Sequence, residues 1–499
     1  MNTATLTTFI IYLVALIGFG ILFYRYTNTL SDYILGGRKL GSGVAALSAG
    51  ASDMSGWLLL GLPGAVYAFG LNQIWIAVGL SIGAYLNWQF VARKLRRYTE
   101  IARDAITLPD YFEFRFYDKS RSLRVISALV ILIFFAIYTA SGLVAGATLF
   151  ESAFGLAPEY ALWIGTIIIV AYTFLGGFLA VSWTDFFQGI LMFLALIAAP
   201  LMIVITYMSW EEIVATASVM EHPTIEGHSY IDVFAGLSFI GIVSLLAWGL
   251  GYFGQPHILA RFMAIRSEEA VPKARMIGIA WMVFALYGAI FVGFTGIAFF
   301  ADAPIAPGSQ EIVFLELTQV LFNPWVAGII LAAILSAVMS TVDSQLLVCS
   351  SAIAEDFYKA FLKPGAAEKE LVWVSRFAVI GVAIVALTLA HNPDNLVLDL
   401  VAYAWAGFGA SFGPVIILSL FWRNMTRNGA LAGMIVGAAT VLFWENITVI
   451  FPGAEHELFT LYSIIPGFIL ATFAIFLASY FDEKPSDEVL AQHDKVLDV

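Results

Sequence analysis

Two short stretches carry oxygen where hydrocarbon is expected. In GASDMSGW, residues 50–57, Asp53 is the one charged residue between Lys39 and Arg93, and Gly50, Ser52, Ser55 and Gly56 crowd around it. In SAVMSTVDSQLL, residues 336–347, the polar side chains of Ser336, Ser340, Thr341, Asp343 and Ser344 interrupt an apolar run. A carboxylate, neighbouring hydroxyls and the carbonyls freed by a break in a helix form an all-oxygen donor set, which a hard alkali cation prefers to nitrogen or sulfur. A charge at mid-bilayer costs about 2.5–3.5 kcal/mol on insertion scales, so Asp53 needs a cation, a proton or a partner.

A third stretch, AWGLGYFGQPH at 247–257, supplies rings instead of charges. Gly249, Gly251 and Gly254 weaken the helix, Pro256 ends it, and Trp248 and Tyr252 stand four apart on one face, as aromatic walls for an organic ligand would. Tyr138 in FAIYTASGL is a further polar intrusion. Asp185 in VSWTDFFQG falls near an expected helix end, where an ordinary interfacial carboxylate is the default reading. The histidines show no metal-ligand spacing, HExxH does not occur, and no nucleophile is paired with a histidine within the apolar runs, so nothing points to an enzyme. The single cysteine, Cys349, reads as a packing residue and leaves no partner for an internal disulfide.

The elements that position these residues must be membrane helices. Of the 499 residues, 61% are hydrophobic and 12% charged, about half the charged fraction of an ordinary soluble domain. Apolar runs of roughly 20 residues recur along the whole length, enough to cross about 30 Å of hydrocarbon. They predict thirteen spans: 5–26, 42–68, 73–92, 125–149, 160–180, 186–208, 233–255, 276–299, 323–350, 376–391, 397–421, 430–450 and 459–480. With these boundaries all 24 lysines and arginines fall in alternate connections or at the span ends that border them, which places the N-terminus outside and the acidic tail 482–499 in the cytoplasm. No connection is long enough for a soluble domain, so 1–499 reads as one transmembrane transporter domain.

The two interrupted segments lie five spans apart and therefore cross in opposite directions. Two five-helix repeats inverted relative to each other, 42–208 and 233–421, would produce that pattern.

The blocks LSAGASDMSGWLLLGLPGAV, LPDYFEFRFYDKSR, GGFLAVSWTD, AWGLGYFGQPHILARFMA and YAWAGFGASFGP closely resemble the sodium:solute symporter family, over about residues 30 to 435. The resemblance implies an all-α integral membrane protein of the bacterial inner membrane, with thirteen transmembrane helices and a leucine-transporter-type five-plus-five inverted repeat. It implies sodium as the coupling ion, no other cofactor, and L-proline as the favoured solute. By that similarity sodium would sit against Ala51 and Met54 through their carbonyls, with Ala337, Ser340 and Thr341, and Asp53 would tune or serve the site. The solute pocket would comprise Ser55, Gly56, Trp57, Tyr138, Trp248, Tyr252 and Pro256.

In one respect the chain departs from the proline-type pattern, which has an uncharged residue where Asp343 stands here. Relatives using two sodium ions point to a second cation position around Asp185, Asp343 and Ser344, and the sequence leaves that open. Also open are a different small organic solute, proton coupling through Asp53, and a membrane-embedded proline sensor, which would need an output domain.

Overall fold

The computed structural model describes residues 3–24, 29–220, 227–391, 396–453 and 456–497. Among these residues the chain is largely helical, and a parallel bridge joins Leu40 and Ile265. Among the described residues nine helices are long and apolar enough to cross a membrane. A tenth is a bent pair, Phe239–Gly254 and Pro256–Ala264, angled by 45°. Ile11, Val14, Ile205, Phe239 and Phe473 are each more than half exposed, an apolar surface suited to lipid. This is a multi-pass membrane protein.

The thirteen expected spans do not stand as thirteen separate long helices. Two are short apolar stretches, Thr3–Phe19 and Pro158–Phe174, and Trp57–Ile101 forms one helical segment of 45 residues. That segment is interrupted at Gly70, whose φ of +79° lies in the region glycine favours. A Cβ there would also come within 2.5 Å of the Tyr230 carbonyl oxygen, so no other residue fits.

Both breaks follow from local chemistry. Helix Ser42–Asp53 stops where Met54 leaves helical geometry at φ −80°, ψ 75°. After Ser55 and Gly56 the chain resumes as a π-turn, Trp57–Gly61, and continues into Leu62–Phe69 with Pro63 in its first turn. In the second segment, Phe239–Leu246 tightens into a 3-10 stretch, Ala247–Gly254. Gln255 is extended there, and Pro256 opens helix Pro256–Ala264, where its missing N–H costs nothing.

The unwound stretch is pinned main chain to main chain. A Cβ on Gly83 would meet the Gly249 carbonyl oxygen at 2.1 Å, and one on Gly79 would meet that of Leu246 at 2.3 Å. Helix Ile74–Leu86 therefore lies directly on the second break, as small residues allow in membrane helices.

Charge gathers the helix ends on the basic face. Arg124, at the start of helix Ser122–Phe154, pairs with Asp110, Glu113 and Asp356, the last at 2.9 Å. The tail expected after residue 481 forms a helix, Asp487–Leu497, tied by Asp494 to Arg423 at 2.7 Å, with His493 and Val496 buried.

Several arginines assigned to connections by the sequence reading lie buried inside helices instead, among them Arg261 in Pro256–Ala264 and Arg376 in Glu368–Ala390, at 1% and 4% exposure. A buried guanidinium held by partners satisfies the same charge count as a solvated one, which is why the count could not separate them.

Candidate cation and ligand site

The first break and helix Pro324–Ser351 meet at Ala51. Ser340 Oγ lies 2.8 Å from the Ala51 carbonyl oxygen and 3.1 Å from that of Ala337, and Thr341 Oγ1 lies 3.4 Å from the Ala51 carbonyl. Four of the oxygens named from sequence thus converge, two hydroxyls and two carbonyls, all of them buried. The Met54 N–H closes the helix end on the Gly50 carbonyl at 2.9 Å.

Asp53 stands one position before the break, 2% exposed. Its Oδ2 accepts a hydrogen bond from the Tyr252 hydroxyl at 2.5 Å, and its Oδ1 has no hydrogen-bond partner among the described residues. The Asp53 carbonyl accepts the Trp57 indole N–H at 3.0 Å and lies 3.5 Å from the Tyr138 hydroxyl. A buried carboxylate with a free lone pair beside clustered carbonyl and hydroxyl oxygens fits a monovalent cation in chemical type. Among the described residues no group of three or more His, Cys, Asp or Glu could hold a metal, so nothing there resembles a transition-metal centre.

Aromatic rings from both broken segments form the neighbouring wall. Trp57 and Trp248 are 6.1 Å apart between ring centroids, Trp248 stacks on Tyr462 at 5.5 Å, and Tyr252 meets Trp405 edge-on at 5.1 Å. The Ser55 hydroxyl accepts the Trp57 N–H at 3.3 Å and so shapes the turn. Side chains also satisfy the carbonyls exposed by the unwound stretch. Trp405 Nε1 donates to Trp248 at 2.7 Å, Asn87 to Tyr252 at 2.9 Å, and Gln255 to Gly251 at 3.2 Å.

Two of the expected ligand residues also have other neighbours. Gly56 packs closely against helix Ser122–Phe154, where a Cβ would strike Ala145 Cβ at 2.5 Å. Pro256 lines a separate cavity with Thr107, Phe178, Arg261 and Ser344, of about 20 Å³, room for roughly one water.

Asp185 is not an interfacial carboxylate. It is fully buried in helix Phe178–Met202, accepting from Ser48 at 2.7 Å and from Arg261 at 3.2 Å. Arg261 also donates to Ser344 at 2.5 Å and to Ser48 at 3.1 Å, and Ser344 lies 3.3 Å from Asp343 Oδ1. The three residues considered for a second cation are therefore brought together, with a guanidinium already among them.

The family model described as the sodium:solute symporter family matches residues 33–437. The sodium/proline symporter of Escherichia coli (strain K12) is 55% identical over 490 residues, covering 97% of this chain and 95% of that one. The chain belongs to the sodium:solute symporter family. Another relative, the sodium/proline symporter of Staphylococcus aureus (strain JH9), is 48% identical over 505 residues, covering 100% of this chain and 96% of that one. Among solved structures, a Na+-coupled sialic acid symporter in a substrate-bound outward-open state superposes with a TM-score of 0.79 at 18% identity, over 97% of this chain and 99% of that one. A nucleobase-cation-symport-1 family transporter superposes with a TM-score of 0.53 at 16% identity, over 94% of this chain and 99% of that one. These two share the fold.

In this sodium:solute symporter, sequence reasoning missed Ser48, Arg261, His257, Trp405 and Tyr12. His257 is fully buried edge-on to Phe135 and Tyr138, and neither ring nitrogen has a hydrogen-bond partner among the described residues. Tyr12 reaches in from helix Thr3–Tyr24 to meet Ser336 at 2.7 Å and Gln188 at 3.0 Å. Arg261 did carry a signal, as one charge in the apolar run QPHILARFMA beside a proline break.

Proposed function

We propose that this chain is a secondary active transporter that imports L-proline together with sodium by alternating access. The observation that carries the reading is the meeting of Ala51, Ser340 and Thr341 next to the Asp53–Tyr252 hydrogen bond, where both broken helices present oxygen. The proposed sodium ligands are Ala51, Met54, Ala337, Ser340 and Thr341, with Asp53 as the nearby compensating charge. Sodium drawn to this point joins the two breaks, which brings Trp57, Trp248 and Tyr252 into register as a pocket. The relatives' names, at 48–55% identity over nearly the whole chain, support proline as the solute.

Proline is a zwitterion with an apolar ring. Amide N–H groups at the start of the resumed helix suit its carboxylate, the carbonyls of the unwound stretch suit its ammonium, and the indoles suit its ring. The pocket assigned here is Ser55, Trp57, Tyr138, Trp248 and Tyr252, with Gly56 allowing the close packing behind it and Pro256 setting the helix start below it. In this reading the chain crosses the membrane thirteen times, with the helical segment Trp57–Ile101 divided at Gly70. Its repeats are 42–208 and 233–421, its N-terminus is outside, and its basic face and tail are in the cytoplasm.

One positive charge crossing about 100 mV supplies about 2.3 kcal/mol, which at about 1.4 kcal/mol per decade supports roughly fortyfold accumulation before the sodium gradient is counted. Arg261 already supplies a cation to Asp185, so we assign one sodium per proline. Uptake of labelled proline into vesicles holding the purified chain, under an imposed sodium or proton gradient and against a panel of competing solutes, tests the reading. Uptake driven by sodium and displaced best by proline is the expected result. Uptake indifferent to sodium, or displaced better by another solute, would overturn it.

A further inference from the structure

The face that carries the basic residues has a hollow of about 350 Å³ that the transport site does not use. Its lining includes Trp88, Phe90, Arg93 and Lys94 from the far end of the helical segment Trp57–Ile101, and Pro272 and Arg275 from the first turns of helix Val271–Phe299. Three cations face one space.

None of the three has a carboxylate within 4.0 Å among the described residues. Their neighbours Arg96 and Arg97 do, with Glu100 at 2.9 Å and Glu268 at 3.8 Å. Glu269 is attracted electrostatically to Arg93 without forming an ion pair with it. The partners that are present are neutral. Arg275 donates to the Gln89 amide oxygen and its guanidinium lies 5.9 Å from the Tyr85 ring, while Lys94 Nζ lies 5.5 Å from the Phe421 ring. These contacts orient the cations and leave their charge unneutralised, so the hollow is arranged for an anion from outside the chain.

The rim tells which anion. Phe90, in the lining, is 51% exposed, and Tyr85, whose ring faces Arg275, is 46% exposed, a greasy border that a small soluble anion would not touch. A ligand with an acidic head and hydrocarbon tails matches both parts, and basic hollows between membrane helices on the cytoplasmic side suit lipid headgroups.

We propose that this hollow binds an anionic glycerophospholipid. Its phosphodiester sits among Arg93, Lys94 and Arg275, and its acyl chains run along Phe90 and Tyr85. The lipid bridges two elements that also contact the transport site. The first carries Asn87, which holds the Tyr252 carbonyl, and the second carries Met282, whose sulfur is 3.7 Å from the Tyr252 hydroxyl.

The test is native mass spectrometry of the purified full chain with phosphatidylglycerol or phosphatidylcholine, with and without millimolar inorganic phosphate. The wild type should retain phosphatidylglycerol under conditions that strip phosphatidylcholine, and inorganic phosphate should not displace it. The variant Arg93→Gln/Lys94→Gln/Arg275→Gln should lose about a hundredfold in retention, while Arg93→Lys/Lys94→Arg/Arg275→Lys keeps most of it. Equal retention by the neutral and wild-type chains would overturn the proposal. Displacement by inorganic phosphate would also overturn it, showing a soluble-anion pocket. Should the triple-neutral chain fail to fold, Lys94→Gln alone carries the test: a severalfold loss supports the lipid and no loss refutes it. Because the readout is binding, it stands apart from the assignment of proline.

Discussion

Asp53 and Tyr252 are 199 positions apart in the chain, yet the tyrosine hydroxyl donates to the Asp53 carboxylate at 2.5 Å. One bond therefore joins the two interrupted helices at the point where each has given up its regular geometry. A hydrogen bond to a charged group contributes about 1.5–3 kcal/mol, enough for one side of the site to sense the other. Tyr252→Phe removes the donor and keeps the ring. The sodium concentration for half-maximal uptake should rise roughly tenfold to a hundredfold, read from initial rates in vesicles. Unchanged sodium dependence would sever Tyr252 from the cation site.

The two hydroxyls near Ala51 are not equivalent. Ser340 Oγ lies at 2.8 Å from its carbonyl and Thr341 Oγ1 at 3.4 Å. Ser340→Ala should therefore weaken sodium dependence more than Thr341→Ala, and both should act on sodium before they act on proline. Sodium titrations at saturating proline provide the comparison, and equal effects would mean that the distances do not rank the ligands.

Arg261 and Asp185 test a different balance. Removing the guanidinium leaves Asp185 and Asp343 buried without a cation, and breaking a buried pair costs about 3–5 kcal/mol. Arg261→Gln should lower the melting temperature of the detergent-solubilised chain, and adding Asp185→Asn should restore part of it. A double variant no more stable than Arg261→Gln alone would count against the pair.

Gly83→Ala places a methyl group at 2.1 Å from the Gly249 carbonyl oxygen, and backbone cannot yield that far. The folded yield should fall sharply. Gly381→Ala enters open space and should leave the yield unchanged, which controls for the loss of glycine itself. Yield after gel filtration measures both.

The tail helix should respond to acid. His493, outside the membrane, is buried beside Arg115, with its Nδ1 3.5 Å from that guanidinium, and burial first, then Arg115, brings its pKa down to about 4. Asp494 opposes the shift, while Arg423 and Lys94 add to it. The docked tail thus binds fewer protons than the free tail. Docking is at full strength above the ordinary histidine pKa of about 6.5 and weakens as pH falls towards 4, by at most about 1.4 kcal/mol per unit. Proteolysis of the tail should accelerate through that range, and His493→Gln should flatten the response.

The meeting of Asp53, Ser340 and Thr341 with distant segments was legible in the sequence because each is a polar side chain in a long apolar run, where a partner from another helix is expected. The breaks were legible for a related reason: glycine and proline at mid-span are costly unless the backbone there has another task. Arg261 carried a signal beside the proline break, but its burial was not legible, since RFMAIRSEEAVPKAR looks like the basic rim of a loop. Its burial depends on Ser48, Asp185 and Ser344 arriving from three distant segments. Trp405 was hidden in a different way, because an indole in an apolar helix reads as packing until its N–H is found on the Trp248 carbonyl. The sequence reading divides the chain between 68 and 73, and Gly70 with its positive φ interrupts the run Trp57–Ile101 at that place.

Where Gly83 meets Gly249 there is no side chain for mutation to enlarge or trim. In the proposed transport cycle, helix Ile74–Leu86 and the unwound stretch would turn together, with no bearing between them. Drift in ligand preference over generations would then fall to the rings of the proposed pocket, Trp57, Tyr138 and Trp248, while the joint itself stays mute.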